Sequence, residues 1–152
     1  MALSNKHKLI FILLYFFNLI SADNFDFKNY SVADGLSEST INVIHEDQNG
    51  FIYLGTENGL MMFDGIKFFN YKMNIFDDLS ILGNNILSIY EDTKGDIWVG
   101  TELGLSRLDP RLRTFKRIEH KEKYDLKNVE KIIEDEHRNI WIQCSGGIFR
   151  YL

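Results

Sequence analysis

Three acidic pairs recur along the chain, Glu46-Asp47, Glu91-Asp92 and Glu134-Asp135. Paired carboxylates are what acid–base glycoside chemistry uses, but that chemistry needs two of them converging on one cleft. Pairs that return once in every 43 to 45 residues occupy equivalent positions of separate units, and are read as scaffold. The four histidines, His7, His45, His120 and His137, share no metal-ligand spacing, and Cys144 is the single cysteine. Neither zinc ligation nor an intramolecular disulfide is expected from them. The glycine segments 55–59 and 100–104 lack the Lys-Ser/Thr of a phosphate loop. Tyr53, Trp98 and Trp141 could stack on sugar rings, yet they share one repeat position, which points to packing between units. Arg111, Arg113, Lys116, Arg117, Lys121, Lys123, Lys127 and Lys131 form either a solvated loop or a surface that attracts an acidic sugar or a partner. No catalytic, cofactor-binding or metal-binding residue is assigned.

These residues are positioned by an internal repeat, and a fixed period decides architecture before any single motif does. EDQNGFIYLGTENGL (46–60) matches EDTKGDIWVGTELGL (91–105) at 9 of 15 positions. A degenerate third copy, EDEHRNIWIQCSGGI (134–148), keeps Glu134, Asp135, Ile140, Trp141 and Gly147. The repeat motif is thus Asp47, Gly50, Gly55, Thr56 and Gly59 in the first unit. Asp92, Gly95, Trp98, Gly100, Thr101 and Gly104 carry it in the second, and Asp135, Trp141 and Gly147 in the third.

Each unit reads as a cycle of strands and turns. Residues 41–45, 86–90 and 129–133 are short β-rich runs that end at the acidic pair. The next four residues suit a tight turn, in which the Asp carboxylate accepts backbone N–H groups and the glycine takes a positive φ. Arg138 stands where Gly50 and Gly95 supply that turn. Second strands are expected at 51–54 and 96–99, and the Gly-Thr-Glu-x-Gly segments then turn the chain into third strands at 60–63 and 105–108. Asp64-Gly65 is a two-residue hairpin signal leading into a fourth strand at 67–71, matched by 114–118. A four-stranded unit with second strands apolar on both faces must be covered on both sides, as a propeller blade is. A sandwich seldom repeats its sequence, and β-helix rungs are shorter. The expected fold is all-β, with blades over about 36–80, 81–124 and 125–152. The third lacks residues for a fourth strand, giving an incomplete ring of about two and a half blades that should self-associate through its bare faces.

The N-terminus is of another kind. Lys6, His7 and Lys8 precede an apolar run from Leu9 to Ile20, and Ser21-Ala22 follows. That order of charged, apolar and small residues reads as a secretory signal peptide over 1–22, and the run is shorter than the roughly 20 residues that span a bilayer. The formal net charge of -5 argues against general nucleic-acid affinity, which rests on Lys and Arg.

The pattern Glu-Asp-x-x-Gly-x-Ile-Trp-x-Gly-Thr-x-x-Gly-Leu resembles the two-component regulator propeller repeat. The opening is similar too: an aromatic strand at 25–30 followed by Asp34-Gly-Leu-Ser37. The resemblance implies a periplasmic, ligand-sensing region of a bacterial hybrid histidine kinase, in which further blades, a membrane helix and the kinase would follow downstream. It implies as partners those remaining portions, and an oligosaccharide or other small extracytoplasmic ligand met at inter-strand loops such as Asn84-Asn85 or 72–80. His120-Lys-Glu-Lys does not match the phosphoacceptor box of such a kinase. A stand-alone carbohydrate- or protein-binding propeller is the alternative, and a propeller lyase or glycosidase a further one.

Overall fold

The computed structural model describes residues 26–118 and 125–151. Within them the chain forms three antiparallel sheets, each laid down in chain order. The first contains β1 (Val43–Glu46), β2 (Ile52–Thr56), β3 (Gly59–Phe63) and β4 (Phe68–Tyr71). The second contains β5 (Ile86–Glu91), β6 (Ile97–Thr101), β7 (Leu105–Asp109) and β8 (Thr114–Arg117). The third contains β9 (Lys131–Glu134), β10 (Ile140–Cys144) and β11 (Gly147–Tyr151). This is an all-β partial propeller, with two four-stranded blades and a three-stranded one.

The blades stack through alternate residues of their inner strands, because successive side chains on a strand point to opposite faces. Tyr53, Leu60 and Met62 of the first blade meet Ile86, Ile97, Val99, Leu108 and Phe115 of the second in one buried cluster. The other face of the second blade, with Trp98 and Leu105, meets Val129, Ile132, Ile140 and Ile142. Full burial of each such side chain contributes on the order of 1.5–3 kcal/mol, so the apolar faces hold the stack together.

Three expectations change. Residues 26–30 are irregular rather than a strand. Tyr30 instead lies against Phe63 and Phe68 at 5.2 and 5.7 Å, and Leu36 joins Leu54 and Met61. This opening segment caps the back of the first blade, turned by a 3-10 helix (Val32–Asp34) that Ser31 and Asp34 cap reciprocally. The Asp64-Gly65 connection is longer than a two-residue hairpin: Phe63 pairs with Phe68, and Asp64 Oδ1 accepts the N–H groups of Ile66 and Lys67 across the four residues between. Gly55 and Gly100 lie inside β2 and β6, not in turns. The signal peptide reading falls on 1–22, outside the described residues.

Candidate functional site

The repeat motif acts at the blade turns and junctions. Asp47 Oδ1 accepts the N–H groups of Asn49 and Phe51, both at 2.9 Å. Asp92 does the same for Lys94 and Asp96, and Asp135 for His137 and Asn139. Gly50 and Gly95 both have φ 83°, and Arg138 holds φ 69° at the same position. The left-handed region costs a side-chain-bearing residue roughly 1–2 kcal/mol, so the third unit keeps its turn under strain.

The second oxygen of each aspartate separates the units. Trp98 Nε1 donates to Asp92 Oδ2, and Trp141 Nε1 to Asp135 Oδ2, each at 2.8 Å. Each tryptophan therefore locks the turn of its own blade, and Trp98 also packs between blades, while Trp141 is half-buried on the face of the third blade. Together with donors from Asn139 and the backbone, Trp141 holds the Asp135 carboxyl far below the usual carboxylate range. In the first unit Tyr53 takes the tryptophan position, and neither its hydroxyl nor Asp47 Oδ2 has a protein hydrogen-bond partner. Burial, and after it the nearby Asp47 charge, push the Tyr53 hydroxyl well above its ordinary value.

The glutamates of the second and third acidic pairs reach across to the preceding blade. Glu91 Oε2 accepts the N–H of Gln48 at 2.9 Å. Glu134 accepts both the N–H and the hydroxyl of Thr93, each at 2.9 Å. This clasp between blades was hidden from pattern reading, since no local rule pairs a residue with one 41 to 43 positions away. Gly55 and Gly100 serve the same junctions. A Cβ on Gly55 would press on Val43 and Ile86, and one on Gly100 would meet Ser88 Oγ and the Val129 carbonyl oxygen. Gln143 holds this position in the third blade, where the side chain is exposed and bonds Glu130.

The threonines close the following turns. Thr56 and Thr101 donate to the carbonyls of Gly59 and Gly104 at 2.9 and 3.0 Å, and accept from Asn58 and Leu103. Gly147, like Gly59 and Gly104, has a positive φ. Cys144, in the third threonine's place, points its thiol at the Asp125 carbonyl, and burial raises the thiol pKa.

The two rim segments differ from simple open loops. Asn84 Oδ1 accepts from Met73, and Asn85 Oδ1 from Asn42, so both side chains are used internally. Arg117 is drawn out of the basic group to brace residues 74–80, reaching the carbonyls of Asn74, Asp77 and Ser80 and the Ser80 hydroxyl. Arg113 lies over the Phe69 ring at 4.2 Å, while Arg111, Lys116, Lys127 and Lys131 are exposed. The braced loop turns Ile75 and Phe76 outward, at 70% and 91% exposure. A cleft of about 960 Å³ opens beside it, lined by Leu79, Leu82, Leu103, Phe115 and Lys116 among others. Among the described residues no group of three or more His, Cys, Asp or Glu side chains could hold a metal ion.

Blades joined by glutamate clasps and aspartate-centred turns define a β-propeller region. Residues 35–58 and 80–102 match the two component regulator propeller family; the chain carries its repeats. Histidine kinase P4 of Formosa agariphila is 39% identical over 74 residues, covering 46% of this chain and 5% of the kinase. Two crystal structures of an extracellular domain from B. thetaiotaomicron superpose on the fold. One, described as a one component system, gives a TM-score of 0.70 at 25% identity over 82% of this chain and 18% of the other. The second, described as a hybrid two component system, gives 0.62 at 28% identity over 72% of this chain and 16% of the other. The chain thus spans under a fifth of each of these relatives.

Proposed function

We propose that the chain is an extracytoplasmic ligand-sensing propeller module of a hybrid two-component system, supplying the sensor side while a kinase portion of a longer protein supplies the output. The observation that carries this reading is the pair of two component regulator propeller repeats, set in a fold that superposes on the extracellular domain of a protein described as a hybrid two component system. Residues 1–22 act as a signal peptide, so the mature protein begins near Asp23 in the periplasm. The ligand is an oligosaccharide or another small extracytoplasmic compound, met at the rim formed by residues 74–80 and the cleft beside it. An exposed aromatic on a braced loop supports that placement, since rings such as Phe76 can pack on an apolar sugar face, and the bracing lowers the ordering cost of binding.

The test fuses the chain, within its longer reading frame, to its kinase and measures autophosphorylation against a panel of oligosaccharides. One oligosaccharide should change the rate, and Phe76→Ala should weaken its half-maximal concentration several-fold while leaving the basal rate intact. A response insensitive to every rim substitution would remove the rim from the account.

A further inference from the structure

We propose that the junction between the first and second blades binds an ordered water molecule, which does for Asp47 what the indole N–H does for Asp92 and Asp135. Asp47 is 4% exposed and Tyr53 fully buried. Asp47 Oδ2, the Tyr53 hydroxyl, Glu91 Oε1 and His45 Nε2 are all shielded from solvent with no hydrogen-bond partner from the protein. They share one neighbourhood: His45 faces Tyr53 across the β1–β2 pair, and His45 Nε2 lies 3.9 Å from Glu91 Oε2. The Asp47 and Glu91 charges both bear on the Tyr53 hydroxyl.

The origin is the replacement of tryptophan by tyrosine. An indole donates from the side of its ring and reaches the turn aspartate of its own blade. A phenol carries its hydroxyl at the far end of the ring, and Tyr53 and Asp47 are left unbonded to each other. Carboxylate oxygens only accept, whereas a hydroxyl can do both. A guest for this set must donate to Asp47 and Glu91 and accept from Tyr53. Water meets that requirement, and buried waters make two to four such bonds to otherwise unsatisfied polar groups.

Two measurements on the full chain decide the proposal. In a high-resolution crystal structure, a water peak is expected within about 2.6–3.2 Å of Asp47 Oδ2 and of either the Tyr53 hydroxyl or Glu91 Oε1; a site without that peak overturns it. In denaturant unfolding, Tyr53→Phe should lower the midpoint, because the water loses a partner. If the site is dry, the same change removes an unsatisfied buried hydroxyl and the midpoint rises, which also overturns it. Tyr53→Trp should restore the direct bond to Asp47, expel the water peak and raise the midpoint.

Discussion

Two junctions join the three blades from the same repeat positions, and they are not equally satisfied. At the second, Trp98 completes the hydrogen bonding of Asp92, Thr93 engages both oxygens of Glu134, and Ser88 donates to the Val129 carbonyl. At the first, Asn42 Nδ2 donates to the Ile86 carbonyl and to Asn85 Oδ1, but Glu91 holds one N–H, and Asp47, Tyr53 and Glu91 each keep a buried oxygen without a protein partner. The apolar faces are similar in kind. What separates the junctions is polar satisfaction at the turn aspartate and the glutamate clasp, set by two substitutions: tyrosine for tryptophan at 53 and glutamine for threonine at 48. A repeat family can thus keep its fold while individual interfaces lose hydrogen bonds worth about 1 kcal/mol each.

The glycines give the widest expected contrast. Gly100→Ala drives a methyl into a backbone carbonyl that cannot swing aside and should destabilise by about 3 kcal/mol. Gly55→Ala meets side chains of Val43 and Ile86 and should cost less. Denaturant midpoints of the two variants measure the difference; equal losses would mean that Val129 yields as freely as Ile86.

Trp98→Phe keeps a ring but strips Asp92 Oδ2 of its donor inside a buried site. A loss of about 2 kcal/mol is expected, converting the second junction toward the first. An unchanged midpoint would mean that the indole bond adds nothing.

Acid should act on the third blade through Asp135. Its folded-state pKa is depressed, first by Trp141 and then by Asn139. Its stabilisation is therefore complete above the unfolded value near about 3.9 and is lost as pH falls below it. Unfolding midpoints followed from about pH 6 to about pH 3 should fall, and Trp141→Phe should flatten that fall. A slope unaltered by Trp141→Phe would assign the acid sensitivity elsewhere.

Arg138→Gly is the smallest expected effect. It relieves the left-handed strain at φ 69° and gives up a long 3.8 Å pair between the exposed Arg138 guanidinium and the nearly buried Glu134 carboxylate, which at that separation contributes less than about 1 kcal/mol. A net gain of about 1 kcal/mol should appear as a raised midpoint. A lowered one would show that Arg138 matters more to the Glu134 clasp than to the turn.

Much of this fold was legible because each blade is local. The run from Ile86 to Tyr90 and the Asp92–Gly95 turn carry their own β-propensity and turn chemistry, so the strands fell within two residues of their expected starts. The capping of the first blade by Tyr30 and Leu36 was not legible, since an aromatic run reads as a strand whether or not an edge is free to pair with it. The glycines at 55 and 100 were misread as turn residues because a close approach between blades leaves no local mark. The two roles of Trp98 were half visible: its position predicted burial, but the reach of Nε1 to Asp92 depends on the turn geometry. The rim was the least legible, because Arg117 looked like one member of a basic surface and proved to be the brace of a loop.

Amide hydrogen exchange at the equivalent residues Gln48 and Thr93 tests the difference between the junctions most directly. Each N–H crosses a junction to a glutamate carboxylate at 2.9 Å, so protection reports how often that junction opens. Thr93 should exchange more slowly than Gln48, and Asp96 more slowly than Phe51 within the turns behind them. Equal protection, or a first junction slower than the second, would contradict the claim that hydrogen-bond satisfaction sets the two apart.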